Sequence, residues 1–307
     1  MKHHIPIYTN SSLNCFRRCP REYYYRYVKL RRTKAVSHPL VFGKLMHTGL
    51  NAWWNYGPGT VSVTGLGTDL DVTKADELLA GYDRRWSKEK FRTIAVEKRF
   101  EIDCGPYKLA GSIDALAKEN GRCVIIEHKT SSGDITPGSS YWDKVSTIDS
   151  QLSTYWIAAK ELGYDVREVL YDVIHAPKSG PLEATPLASR KYTKKDGKLY
   201  AGQRDTAETL EEYRVRLRED IKTNPEWYYC RQRFVRLEDD SWVQKMDNDM
   251  AHLFILDSFE ANYFPRNTGS CYQFGRKCDY AGVCSGTESI DNDRVFRTAE
   301  TQHEELV

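Results

Sequence analysis

The sequence predicts an α/β fold built in the order helix, three-strand meander, helix, strand (αβββαβ). Three observations carry that prediction. Between Ala95 and His128, apolar residues come in three runs broken by Cys104-Gly105-Pro106 and by the charged stretch Lys118 to Arg122. That is the pattern of strands joined by reversals. The run Ile148 to Leu162 then has helical periodicity, and Glu168 to His175, EVLYDVIH, reads as a fourth strand. A strand reached through a helix fits a crossover to a parallel neighbour.

Taken from the start, Ser11 and Ser12 can cap a helix beginning near Leu13, and this stretch is dense in Tyr23, Tyr24, Tyr25 and Tyr27. Capping hydroxyls of this kind satisfy the first free N–H groups of a helix. Gly43 to Trp54 has a helical apolar pattern through Leu45, Met46, Leu50 and Trp53, with His47 inside it. Residues 55 to 72 read as a loop or excursion, and Asp76 to Lys90 as a second helix. Ala95 to Ile102, Tyr107 to Ala117 and Cys123 to His128 are the meander. Thr130 to Thr147 reads as a Ser/Gly loop containing Trp142, placed to lie over a site at the strand ends. Pro177 to Arg204 reads as a basic excursion, residues 177–205 in all, carrying Lys178, Arg190, Lys191, Lys194, Lys195, Lys198 and Arg204. Thr206 to Lys222 and Ser241 to Asn262 are helices by periodicity, joined by an aromatic connector, Trp227-Tyr228-Tyr229. After Ser285 the chain is polar and reads as a loose tail, residues 285–307.

Composition sets limits. The chain has 307 residues, 40% hydrophobic and 29% charged, enough for one large domain with its own core. It shows no run long and apolar enough to span a membrane and no signal peptide after Met1, so a cytoplasmic protein is expected. The net charge of +2 excludes a globally basic coat protein. Charge is uneven, however: Arg17, Arg18, Arg21, Arg26, Lys29, Arg31, Arg32 and Lys34 face a single acid, Glu22. Such a patch suits either a phosphate backbone or a solvated helix face. Eight cysteines without an export signal point to metal or cluster ligands rather than disulfides.

The chemistry concentrates at Gly111 to Lys129, GSIDALAKENGRCVIIEHK. Strand side chains alternate, so Glu127 and Lys129 share one face and His128 takes the other. If the two runs pair as a hairpin, Asp114 lies beside Glu127. Two carboxylates then face one ammonium, a set that suits a hard divalent cation and charge developing on a phosphate. Downstream, Gln151 and Tyr155 are four residues apart and share a helix face. Cys271, Cys278 and Cys284 follow at C-x6-C-x5-C spacing, and Cys19-Pro20 stands far upstream.

In this ordered set the chain resembles the PD-(D/E)XK nuclease superfamily, and within it the RecB-type branch that includes the AddB nuclease domain and the iron–sulfur CRISPR-associated exonucleases. The likeness runs from about residue 11 to 284. It implies a restriction-endonuclease-like core at about 40–176 within a single nuclease domain, 1–284, and an iron–sulfur staple joining 11–30 to 262–284. It further implies one or two Mg²⁺ or Mn²⁺ held by His47, Asp114, Glu127 and the backbone carbonyl of His128. Lys129 then orients or deprotonates the attacking water, and Gln151 and Tyr155 steady the scissile strand. Cys19, Cys271, Cys278 and Cys284 are the implied [4Fe–4S] ligands, with Cys15 competing for the first position. The first interval is longer than the family's usual C-x2-C, and four thiolates also suit zinc. Glu97 sits where the family often has a glutamate, but a surface strand residue is the expectation. The implied function is a metal-dependent DNA exonuclease acting on single-stranded ends in recombination or repair, alone or with a helicase on another chain. A DNA end-binding protein on a nuclease fold and a sequence-specific endonuclease are the alternatives.

Overall fold

The computed structural model describes residues 5–60, 63, 67–273 and 276–306. The expected leaderless start at Met1 to His4 and part of the expected excursion, 61–62 and 64–66, lie outside them. Strand β1 (Ile7–Thr9) leads into helix α1 (Asn10–Arg18). The cap is Thr9 rather than Ser11: its hydroxyl accepts the Ser12 N–H, and Ser12 returns the bond to the Thr9 N–H. The tyrosine-rich stretch is not one helix. Cys19 is extended, as the residue before a proline is pushed to be, and α2 (Pro20–Tyr23) restarts beyond it into a π-helical turn, Tyr24–Val28. β2 (Arg31–Thr33) follows. Helices α3 (His38–Tyr56) and α4 (Asp69–Trp86) both start earlier than their periodicity suggests, α4 through a Thr68–Asp71 capping box.

The expected meander is present as β3 (Arg92–Asp103), β4 (Lys108–Glu119) and β5 (Arg122–Ser131), all antiparallel. Asn120 and Gly121, both at positive φ, make the tight turn between β4 and β5. The expected loop over the strand ends is instead partly helical: α5 (Ser140–Ile148) sinks Trp142 into the core, its indole N–H on the Ile135 carbonyl. Asp149 breaks it from α6 (Ser150–Glu161), which crosses to β6 (Val166–His175), parallel to β5 as anticipated. Residues 177–209 are irregular, with a 3₁₀ turn at Leu187–Ser189 and one bridge, Tyr192 to Leu199; Arg190 binds the Thr185 and Asp205 carbonyls. After α7 (Leu210–Thr223) and the single turn α8 (Pro225–Tyr228), the aromatic connector turns out to begin a strand. β7 (Tyr229–Val235) pairs antiparallel with β6 and closes the sheet in the order β1-β4-β5-β6-β7, with β3 on the other side of β4.

Helix α9 (Glu238–Glu260) then packs beside α6 and α1. The C-terminal segment holds the two-residue strands β8 (Tyr272–Gln273) and β9 (Arg276–Lys277), the short α10 (Ala281–Ser285) and β10 (Phe296–Thr298). It is not a loose tail. β10 pairs with β2, Phe296 is buried in a cluster with Tyr25 and stacks on Tyr280, and Glu305 reaches Thr9. One core cluster lies under α1, α5 and α6, the other under α3, α4 and α7, on opposite faces of the sheet.

The sheet forks at β4. One edge of β4 pairs with β1 over Lys108–Ala110 and with β5 over Ala115–Glu119, and the residues between, Gly111 to Asp114, pair with neither. A cleft of about 530 Å³ opens at that fork. Gly111 is required there, because a Cβ would stand 2.5 Å from the Phe100 ring.

Candidate active site

Asp114 stands where β4 and β5 part. Its carboxylate accepts the backbone N–H of His128 at 2.8 Å, replacing the ladder bond lost at the fork. Register carries Ala115 opposite Ile126, so Asp114 and Glu127 are neighbours across the strands as the sequence predicts. His47, on the cleft side of α3, places Nδ1 3.9 Å from Asp114 Oδ2, and burial holds its imidazole below the ordinary histidine range. Glu97 completes the group: ligand atoms of His47, Glu97 and Asp114 all lie within 4.8 Å of one another. Among the described residues this is the only such group.

Glu97 is therefore more than the surface residue expected. It sits in β3 at φ +48, between Val96 and Lys98, which pair with Ala115 and Ile113 of β4. Asn51, one helical turn past His47 on α3, donates to Oε1 at 2.8 Å, and Ser112, two residues before Asp114, donates to Oε2 at 2.9 Å. A glutamate in a left-handed conformation, gripped from two elements, is a restrained side chain.

Glu127 is fully buried and one of its oxygens, Oε2, has no hydrogen-bond partner. Burial, then the Asp114 carboxylate, push its pKa up to about 8 against the pull of Lys129. The other oxygen takes a short hydrogen bond from Lys129. Burial works against the charge on Lys129, but Glu127 and Asp114 outweigh it and raise its pKa. The ammonium keeps the proton of this pair, since it faces several carboxylates and is 30% exposed toward the cleft. Lys129 also donates to Gln151 Oε1 at 2.9 Å, and Gln151 Nε2 donates to the Tyr155 hydroxyl at 2.7 Å. Two of the three ammonium N–H bonds are thus fixed, and the third is left for the cleft. Asp149 caps α6 through the Gln151 N–H and so sets where Gln151 stands.

His128 turns its ring away, as alternation requires. The imidazole is buried on the far face, with Nδ1 3.2 Å from Asp172 and its ring beside Trp54. Lys44, one turn before His47, lines the cleft with an exposed ammonium and was not singled out by any motif.

The basic cluster near the N-terminus is largely engaged within the protein. Arg18 pairs with Glu22 at 2.5 Å, Arg17 binds Asn248 at 2.6 Å, Arg21 binds the Phe264 carbonyl at 2.6 Å and Arg31 pairs with Asp293 at 2.9 Å. The tyrosines among them are packing residues, Tyr23 stacked on Tyr27 and Tyr25 beside Tyr280.

None of the eight cysteines is in a disulfide. The extended turn at Cys19 brings its sulfur to the Asn267 N–H at 3.4 Å, and the Cys278 N–H binds the Cys271 carbonyl at 2.8 Å. Burial raises the Cys278 and Cys284 thiols; Cys19 adds to both and Cys271 adds to Cys284, so the four lie within electrostatic reach. Cys15 points into the main core, where burial pushes its thiol up to about 12. Cys123 and Cys230 are core residues too.

A profile of the PD-(D/E)XK nuclease superfamily matches residues 8–285. The chain belongs to that superfamily. Among solved structures, the nuclease is similar to an exonuclease-described protein of Eubacterium rectale, with 9% identity and a TM-score of 0.46 over 92% of this chain and 88% of that one. It is also similar to a phage-related exonuclease of Haemophilus somnus, with 16% identity and a TM-score of 0.31 over 70% and 81%. These likenesses are too distant to bear on chemistry. No curated protein matches the sequence. Among the described residues no helix is long and apolar enough to cross a membrane.

Proposed function

We propose that this nuclease is a metal-dependent DNA exonuclease that hydrolyses phosphodiester bonds at single-stranded ends. The observation that carries the reading is the fork itself. His47, Glu97 and Asp114 converge there, with Glu127 beside Asp114 on the next strand and Lys129 against it, and Glu127 holds a buried oxygen without a partner. An uncompensated buried carboxylate oxygen is costly, and a hard divalent cation is the group that fits an imidazole and several carboxylates at this spacing. His47, Asp114, Glu127 and Glu97, with the His128 carbonyl, would hold Mg²⁺ or Mn²⁺. A cation so bound supplies Lewis acidity at the scissile phosphate and an acidified water.

The chain's own groups do the rest. Lys129, pinned by Glu127 and Gln151, directs its remaining N–H into the cleft, toward the water or a phosphate oxygen. Gln151 is oriented by donating to Tyr155, so its carbonyl oxygen stays on the ammonium. Lys44 offers a second cation at the cleft wall for the strand's backbone. A cleft of about 530 Å³ suits the nucleotides of a single strand.

Cys19, Cys271, Cys278 and Cys284 form a donor set for a [4Fe–4S] cluster in the same reading. Four thiolates serve either such a cluster or a zinc ion, and the iron and zinc content of the native protein decides between them.

The test is a time course on end-labelled single- and double-stranded DNA with Mg²⁺, Mn²⁺, Ca²⁺ or chelator. The reading expects terminal nucleotides released from single strands with Mg²⁺ or Mn²⁺ and nothing with chelator. Discrete internal products would point to an endonuclease, and binding without cleavage to an end-binding protein.

A further inference from the structure

Helix α9 is packed with its polar side inward. The residues it buries against α1 and α6 are Gln244, Asn248, Ala251, His252, Ile255 and Ser258. At 3.6 residues per turn, Trp242, Val243, Met246, Met250, Leu253 and Phe254 fall within an arc of about 120° on the opposite side. Five of these six are exposed, Trp242 at 63%, Val243 at 51%, Met250 at 48%, Leu253 at 51% and Phe254 at 53%. A solvent-facing helix of a globular protein shows the reverse arrangement. A contiguous apolar stripe of this kind marks an interaction surface. Beside it, between α9 and α1, runs a groove of about 660 Å³ with an apolar lining that includes Phe16, Met250, Phe254 and Tyr263; Arg17 also lines it, next to Asp247 and bonded to Asn248, so the cation is engaged within the groove. It offers a receptacle for an apolar anchor.

The charges on the stripe identify what covers it. Asp239 and Asp257 lie on the same line as the apolar residues, at its two ends, and Asp247 lies on its flank; all three are exposed. No lysine or arginine of α9 falls in the arc, since Lys245 projects to the other side. A second copy laid antiparallel on this face would set Asp239 against Asp257 at both ends, and an anionic lipid surface would be repelled in the same way. We propose that the outward face of α9 is the docking site for an amphipathic helix of another protein, with an apolar stripe flanked by lysine or arginine. The stripe from Trp242 to Phe254 is about 18 Å long, enough for some three turns of such a helix.

The probe is a pair of fluorescein-labelled helical peptides with the same leucine stripe, one flanked by lysines and one by glutamates, titrated into the full chain by anisotropy. The lysine peptide is expected to bind at least about ten-fold more tightly, the preference shrinking as salt is raised. Phe254→Glu and Met250→Glu should each abolish that binding with the melting temperature and the rate of DNA cleavage retained. Equal binding of the two peptides, no binding of either, or undiminished binding by Phe254→Glu would overturn the proposal. So would sedimentation showing a wild-type dimer that Phe254→Glu converts to monomer, because the occupant would then be a second copy. DNA cleavage enters only as a control, so failure here leaves the reading of the cleft standing.

Discussion

Replacing Gln151 by leucine isolates the positioning of Lys129 from its charge. Gln151 gives the ammonium one of its two fixed hydrogen bonds, at 2.9 Å, and is itself held by Tyr155 at 2.7 Å. A hydrogen bond to a charged group contributes about 1.5–3 kcal/mol. At about 1.4 kcal/mol per tenfold in rate, its loss from the reacting geometry corresponds to a fall in kcat of about 10- to 150-fold. Stability should change little, because Gln151 is half-exposed at the start of α6. The assay is single-turnover cleavage of a labelled oligonucleotide at saturating protein and metal, with KM for DNA measured alongside. Gln151→Glu keeps an acceptor for the ammonium and should retain more activity than Gln151→Leu. A Gln151→Leu rate within about twofold of wild type, or a loss confined to KM, would refute the idea that this bond orients Lys129.

Lys44→Ala should weaken DNA binding and reduce the slope of log affinity against log salt by about one, as removal of one phosphate contact does; an unchanged slope would take Lys44 off the strand's path. Anaerobically purified protein should be brown, with Cys19→Ser, Cys271→Ser, Cys278→Ser and Cys284→Ser each losing colour and melting temperature while Cys15→Ser, Cys123→Ser and Cys230→Ser keep the colour. Zinc without iron would replace the cluster by an ion. Glu305, bonded to Thr9 and beside His303, is held down at about 2 against the desolvation that would raise it. Its folded value lies below the ordinary glutamate range, so its contribution to stability is present above about pH 4.5 and lost as pH falls toward 2. The melting-temperature gap between wild type and Glu305→Gln should close across that window; a constant gap would show that the carboxylate charge is not what stabilises the segment.

The catalytic side chains could be read ahead of the structure because each lies in a regular element whose period fixes its neighbours. Glu127 and Lys129 share a strand face, Gln151 and Tyr155 a helix face, and the hairpin brings Asp114 level with Glu127. Glu97 could not be weighed in this way. Its place depends on a local left-handed residue in β3 and on Asn51 reaching it from α3, neither of which leaves a period in the sequence. β7 was hidden for a related reason: Arg231 and Arg233 sit inside it, and Arg231 is tolerated there through Asp172 of β6, Glu89 and the Tyr82 hydroxyl. The C-terminal segment reads as polar because its apolar anchors, Ile290, Val295, Phe296 and Ala299, are few and follow no helix or strand period. Nor does the basic content near the N-terminus tell an exposed patch from arginines already bound to Glu22, Asn248 and backbone carbonyls. The pattern of α9 is visible as alternating apolar residues, but only the packed structure shows that its polar side faces in.

The most direct test of the site is the cleavage of end-labelled single-stranded DNA by Lys129→Met protein at saturating Mn²⁺, with DNA binding measured on the same preparation. If Lys129, pinned between Glu127 and Gln151, acts on the attacking water or the phosphate, cleavage should fall by at least about 100-fold with binding intact. Cleavage by Lys129→Met at the wild-type rate would contradict it.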